Sequence, residues 1–144
     1  MNLVDENVLG RFALIQYSNY EKAYEEIKNG KKCTHWMWYI FPQLRGLGQS
    51  EKSYYYGISG PDEAREYLAH PVLGVRLIEC CKALLTHKDK TAEDVFGVID
   101  DMKLQSSMTL FALVSENDSV FHKVLEQFFD GVKDVETLNI IKRI

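Results

Sequence analysis

With 144 residues, 46% hydrophobic content and a formal net charge of −4, the chain can form one domain that buries roughly 70% of its unfolded surface, and it is too acidic for non-specific binding to nucleic-acid phosphates. The N-terminal segment Met1 to Asn7 lacks the basic start and apolar run of a signal peptide, and the longest strongly apolar tracts span about seven residues where a membrane helix needs ~20. Three cysteines, of which Cys80 and Cys81 are adjacent, argue against a disulfide framework and for a reducing cytoplasm.

Leu9, Phe12, Ala13, Tyr17, Tyr20, Ala23, Tyr24 and Ile27 recur at spacings of three and four, predicting one amphipathic helix or two in succession. Ser18 and Glu21 resemble a capping box that restarts the helix, and Gly30 supplies a C-terminal stop. Thr34 is placed to cap a short helix through Trp36, Met37 and Trp38, which Phe41-Pro42 ends because a residue before proline disfavours helical geometry. The aromatic content of Met37 to Phe41 would also suit a strand. Ser50 opens a further turn through Tyr54, Tyr55 and Tyr56. Pro61, Asp62 and Glu63 have the character of a first helical turn, and His70-Pro71 precedes a second helix through Leu77, Ile78, Cys81 and Leu84. Thr91 with Asp94 marks the next start. The segment from Asp100 to Val114 turns apolar on nearly every side after Met108, as a central helix does, and Asp118 and Asp134 are placed as N-caps of two closing helices with Gly131 between them. No sustained alternation of period two, hairpin dipeptide or internal repeat is present, so the fold class is all-α: a single helical domain over 1–144 with about seven to nine mostly short helices.

The chemistry concentrates between Lys28 and Lys52. Five cations (Lys28, Lys31, Lys32, Arg45, Lys52) face one acid, Glu51, a local +4 in a chain of net −4. Interleaved with them are His35, Trp36, Trp38, Tyr39 and Phe41. Such a segment fits an anionic small molecule, with rings as stacking surfaces. In the first turn of a helix capped by Thr34, His35 would be held neutral by the helix dipole and could accept a proton, with Trp38 and Tyr39 on its face and Trp36 with Ile40 on another. Equally, both tryptophans can fill core. Gly46 and Gly48 before Ser50 can present backbone N–H groups to a phosphate, or simply permit a tight loop.

Farther on, helical spacing sets Lys103 beside Ser106 and Ser107, one turn after Asp100, with Asp101 adjacent. Buried polar groups of this kind need partners: each other, water or a ligand. The serines can alternatively bond back to their own helix carbonyls at a close helix contact. The four histidines and three cysteines show no metal-ligating spacing, and neither a nucleophile elbow nor a Walker A loop occurs, so no metal and no cofactor is expected. Cys80 and Cys81 read as small buried hydrophobes.

The strings Arg11-Phe12, Tyr20 with Ala23, His35-Trp36-Met37-Trp38, Phe41-Pro42-Gln43, Gly46-Leu47-Gly48 with Ser50, His70-Pro71 with Gly74, Arg76-Leu77, Phe96-Gly97 with Asp100, and Lys103-Leu104 with Ser106 to Phe111 are similar, over almost the whole length, to a bacterial family, domain of unknown function 1810. The resemblance implies a mainly helical single domain and no established activity. Some members carry a calpastatin label, which implies a protease inhibitor, but this chain has none of the repeated, low-hydrophobicity segments of such inhibitors. Lys103 to Leu110 also resembles the Lys-Phe-x-Gln-Asn-x-x-Leu stretch of the helical NADAR superfamily, associated with ADP-ribose derivatives and N-glycosidic hydrolysis, with Ser106-Ser107 replacing its Gln-Asn pair.

The expectation is a cytoplasmic binder of an anionic, nucleotide- or ADP-ribose-like small molecule. Lys31, Lys32, Arg45 or Lys103 would meet its charge, Trp36 or Trp38 would stack, and Gln43 and Ser50 would read polar edges. In an N-glycosidic hydrolase Asp100 or Asp101 would stabilise the sugar cation or position water, with His35 as auxiliary base. The alternative is a non-enzymatic module in which the His35 to Trp38 stretch docks a protein partner.

Overall fold

The longest amphipathic pattern becomes a single 26-residue helix, α1 (Leu3–Lys28), in a computed structural model that describes residues 3–144, and their side chains from residue 8. The leader reading of Met1 to Asn7 lies outside the described side chains. Ser18 does not restart the helix; its hydroxyl donates to the Ile15 carbonyl of the preceding turn (3.4 Å), so the backbone runs through. Tyr17, expected on the apolar face, is 89% exposed, and Gln16 takes the inward position, where its amide donates to the Tyr39 carbonyl (2.7 Å) and the Tyr67 hydroxyl (3.0 Å). Gly30 does stop α1: at φ 75° its N–H reaches Ile27 O and that of Lys31 reaches Glu26 O, a Schellman pattern.

Seven further helices follow: α2 (Met37–Ile40), α3 (Glu51–Tyr55), α4 (Pro61–Ala69), α5 (Leu73–Leu85), α6 (Ala92–Leu113), α7 (Val120–Phe129) and α8 (Val135–Arg143). The fold is all-α. No strand occurs among the described residues, so Met37 to Phe41 is a helical turn and not a strand; the one β-type contact is an isolated parallel bridge between Leu44 and Ile58.

The capping signals at Ser50, Thr91 and Asp134 hold. Ser53 N–H donates to Ser50 Oγ (3.1 Å), Thr91 and Asp94 form a reciprocal box, and Thr137 N–H donates to Asp134 (3.0 Å). Two caps move. Trp36 stands at the N-cap of α2 because the Thr34 hydroxyl is engaged by Glu26 (2.7 Å), and Ser119, not Asp118, caps α7 by accepting from His122 N–H (3.3 Å). The His70 ring caps the start of α5 from Nδ1, which accepts from Val72 and Leu73 N–H (3.1 Å each).

In the core α5 lies against α1, α4 and α7, while α6 lies against α4, α7 and α8. As its apolar half predicts, α6 is buried without interruption from Ser106 to Ala112, and Cys80 and Cys81 are buried, which pushes both thiols up. A β-carbon on Gly74 would stand 2.1 Å from the Leu68 carbonyl oxygen of α4, a backbone atom that cannot swing away. Gly74→Ala is therefore expected to destabilise by about 3 kcal/mol, read as a lower urea midpoint with unchanged slope.

Candidate functional site

The site forms where the segment leaving α1 meets a break in α6. In α6 Gly97 adopts φ 85°, ψ 170°, a conformation open to glycine, and splits the helix into a short first part and the long central part that carries Asp100 and Lys103. In the turn before this break the Val95 carbonyl accepts from the N–H of Lys32 (2.7 Å), which pins the chain leaving α1 alongside α6. The same stretch is gathered by the buried Glu26. One of its oxygens accepts from Cys33 N–H (2.7 Å), Thr34 N–H (3.0 Å) and the Trp36 indole (2.8 Å), and the other from the Thr34 hydroxyl. Burial acts to raise the Glu26 carboxyl, but these hydrogen bonds outweigh it and bring it down to about 2.

A cavity of about 200 Å³ opens where the two segments meet, lined by Lys32, His35, Trp36, Trp38, Asp100 and Lys103. Met37 completes its wall, and Lys52 reaches it from α3. Asp100 is its one carboxylate. It takes Lys32 Nζ on one oxygen (2.8 Å) and Lys103 Nζ on the other (3.0 Å). Each ammonium also rides over an indole, Lys32 at 5.2 Å from the Trp36 ring centre and Lys103 at 4.7 Å from that of Trp38. Burial works to raise the Asp100 carboxyl, and the two lysines more than offset it, holding it below the usual carboxylate range. Asp100 is thus ionised and acceptor-only at neutral pH, and three lysines around one aspartate leave the cavity positive.

Of the residues singled out in the sequence, the structure brings Lys32, His35, Trp36, Trp38, Asp100 and Lys103 together and places the others elsewhere. Asp101 bonds the adjacent Met102 N–H (2.7 Å) and lies off the cavity, one residue and about 100° around the helix from Asp100. His35 lines the rim but precedes α2 rather than sitting in its first turn, which removes the dipole argument made for it. Trp36 is 2% exposed, its ring edge against Phe96 and its indole N–H on Glu26, so it is chiefly core and only borders the cavity. The exposed Lys31 side chain is absent from the lining. Ser106 donates to Met102 O (3.2 Å) and Asp134 (3.0 Å), tying α6 to α8. Ser107 and Gln43 are buried away from it, the Ser107 hydroxyl and the Gln43 amide nitrogen without a partner among the described residues.

Gly48 sits in close packing: a β-carbon there would meet Ser53 at 2.6 Å and the Trp38 ring at 2.9 Å. Gly46, at φ 107°, makes the loop turn. Arg45 and Ser50 belong to a second, open cleft of about 1050 Å³ that also takes in Tyr54, Tyr55 and, again, Lys52. Two contributors were missed. Lys52 was counted among the cations, but only packing of α3 brings it to the cavity. Glu26 had a visible signal, a carboxylate three residues after Ala23 on the buried stripe of α1, where an acid requires donors.

Among the described residues no three His, Cys, Asp or Glu side chains gather as a metal requires, and no helix is long and apolar enough to cross a membrane. A family model described as protein of unknown function (DUF1810) matches residues 6–141. The chain belongs to this family. Among solved structures, this DUF1810 chain is similar to the conserved hypothetical protein Rv1873 from Mycobacterium tuberculosis at 42% identity and a TM-score of 0.90, covering 93% of this chain and 96% of that one. No curated protein matches it. The NADAR likeness has no counterpart in these comparisons.

Proposed function

We propose that this DUF1810 protein is a cytoplasmic binder of a phosphorylated small molecule of the nucleotide or ADP-ribose type, whose anionic group sits among Lys32, Lys52 and Lys103. The observation that carries this reading is a concave cavity lined by three lysines and a single carboxylate, with the ammonium groups of Lys32 and Lys103 on that carboxylate. A dianionic phosphoryl group would balance that excess, and about 200 Å³ suits a phosphate with part of a sugar. Binding is better supported than turnover. Both Asp100 oxygens already face ammonium groups, and these cancel the negative field that an oxocarbenium centre in N-glycosidic hydrolysis would need. The protein-docking alternative is less supported, because Trp36 and Phe41 are buried in an aromatic cluster with Phe96 and offer a partner no flat ring surface.

A thermal-shift series with phosphate, ribose 5-phosphate, AMP, ADP-ribose and NAD tests the reading. A ligand at 100 times its Kd should add about 2.7 kcal/mol, a rise of several degrees, and Lys103→Ala should weaken that ligand at least about tenfold. Absence of any shift at millimolar ligand would sink the proposal.

A further inference from the structure

Resting on that reading, the second cleft gives the ligand its other half. Lys52 lines both cavities, so they lie next to each other at α3. One side is the lysine-lined pocket; the other presents Arg45, Tyr54 and Tyr55. The guanidinium of Arg45 lies 4.5 Å over the Tyr54 ring, and its Nε donates to the Tyr54 carbonyl (3.1 Å), so this stacked pair is held by two contacts before any ligand arrives. Tyr54 is nevertheless 65% exposed and Tyr55 55%, and Tyr55 is braced edge-on by Tyr56 at 4.9 Å. Two braced rings left open to solvent beside a cation form a surface for a planar aromatic group. The other charges of the cleft do not serve an anion: Arg11 and Glu63 at its base are paired with each other at 3.0 Å, and Glu51 is itself a carboxylate. Lys52 and Tyr55 are three residues apart on α3 and so lie on neighbouring parts of one helix face.

We propose that the Arg45, Tyr54 and Tyr55 cleft is an aromatic-base subsite, so that the ligand is a nucleoside phosphate that places its phosphoryl group in the lysine pocket and its base on the tyrosines. The cleft volume, about 1050 Å³, accommodates a nucleoside outside the smaller pocket.

Titration calorimetry with AMP, ribose 5-phosphate and adenosine separates the two halves, using the whole chain and the variants Lys103→Ala and Tyr54→Ala/Tyr55→Ala, with circular dichroism as the folding control. AMP should bind at least about tenfold more tightly than ribose 5-phosphate, since stacking on aromatic side chains carries that much, and the double tyrosine variant should erase the difference while ribose 5-phosphate keeps its affinity. Lys103→Ala should weaken both phosphorylated ligands alike. Equal binding of AMP and ribose 5-phosphate, or an AMP advantage that survives loss of both rings, overturns the base subsite and leaves the phosphate pocket standing. Failure of both phosphorylated ligands to bind overturns the two readings together.

Discussion

Glu63→Ala is expected to lower the unfolding free energy by about 3–5 kcal/mol, because it strands a buried guanidinium. Arg11 and Glu63 are both nearly inaccessible, with paired atoms at 3.0 and 3.4 Å. Glu63 also accepts the Ser59 N–H (2.8 Å) at the entry to α4. Arg11 joins three parts of the chain: Nε donates to Tyr55 O (2.7 Å), one terminal nitrogen to Gly57 O (2.8 Å) and the other to Val8 O as well as to Glu63. Replacing the pair with Arg11→Met and Glu63→Leu removes both charges, which can be close to neutral for a buried ion pair. Here recovery should be partial, since Tyr55 O and Gly57 O then lose their donor. Urea unfolding of the two variants checks this. A Glu63→Ala cost below about 1 kcal/mol would mean that the Arg11 charge is solvated and the pair carries little.

Glu26→Ala comes second, at about 3 kcal/mol, through the loss of four charge-assisted hydrogen bonds and an indole N–H left buried without an acceptor. Unlike the Arg11 pair, this substitution should also reach the site, since Glu26 holds the backbone between Lys32 and Trp36. Ligand affinity should fall with stability in Glu26→Ala. Glu26→Gln should behave differently: its amide oxygen can keep the three bonds on Oε1, and its nitrogen can donate to the Thr34 hydroxyl, so it should cost about 1–2 kcal/mol.

The acid response separates the two variants. The folded carboxyl lies near 2, below its ordinary value of 4.5, so its contribution is fully present above about pH 4.5 and is lost as pH falls toward 2. The linkage amounts to about 2 kcal/mol once solvent screening is allowed for. Denaturation at pH 7, 4.5 and 3 should show the wild type losing stability more steeply than Glu26→Gln over that window. Parallel pH profiles would remove Glu26 as the source.

Much of the fold was legible because it is encoded over short distances. Ser50, Thr91, Asp134, Gly30 and Pro61 act within one turn of themselves, and each marks the boundary that its chemistry predicts. The misplaced caps show where that logic stops. Thr34 has the right side chain, but Glu26, eight residues earlier on another element, claims its hydroxyl, and the helix start shifts to Trp36. Tyr17 and Gln16 exchange burial for a similar reason: the Tyr39 carbonyl and the Tyr67 hydroxyl provide partners for an amide that hydropathy alone assigns to solvent.

The candidate site divides along the same line. By itself the sequence determined the all-α class, the cationic and aromatic content of residues 28–52, and the Asp100 to Lys103 contact, since the last joins side chains one helical turn apart. Only the tertiary structure decided that Lys32 is the second ammonium on Asp100, that Lys52 joins it from α3, and that Arg45 and Ser50 look into a different cleft from Trp38. Those contacts span tens of residues and depend on the bend at Gly97 and the anchoring by Glu26. Local periodicity fixes which way a side chain points from its own helix axis; it carries no information about where that axis lies relative to the others.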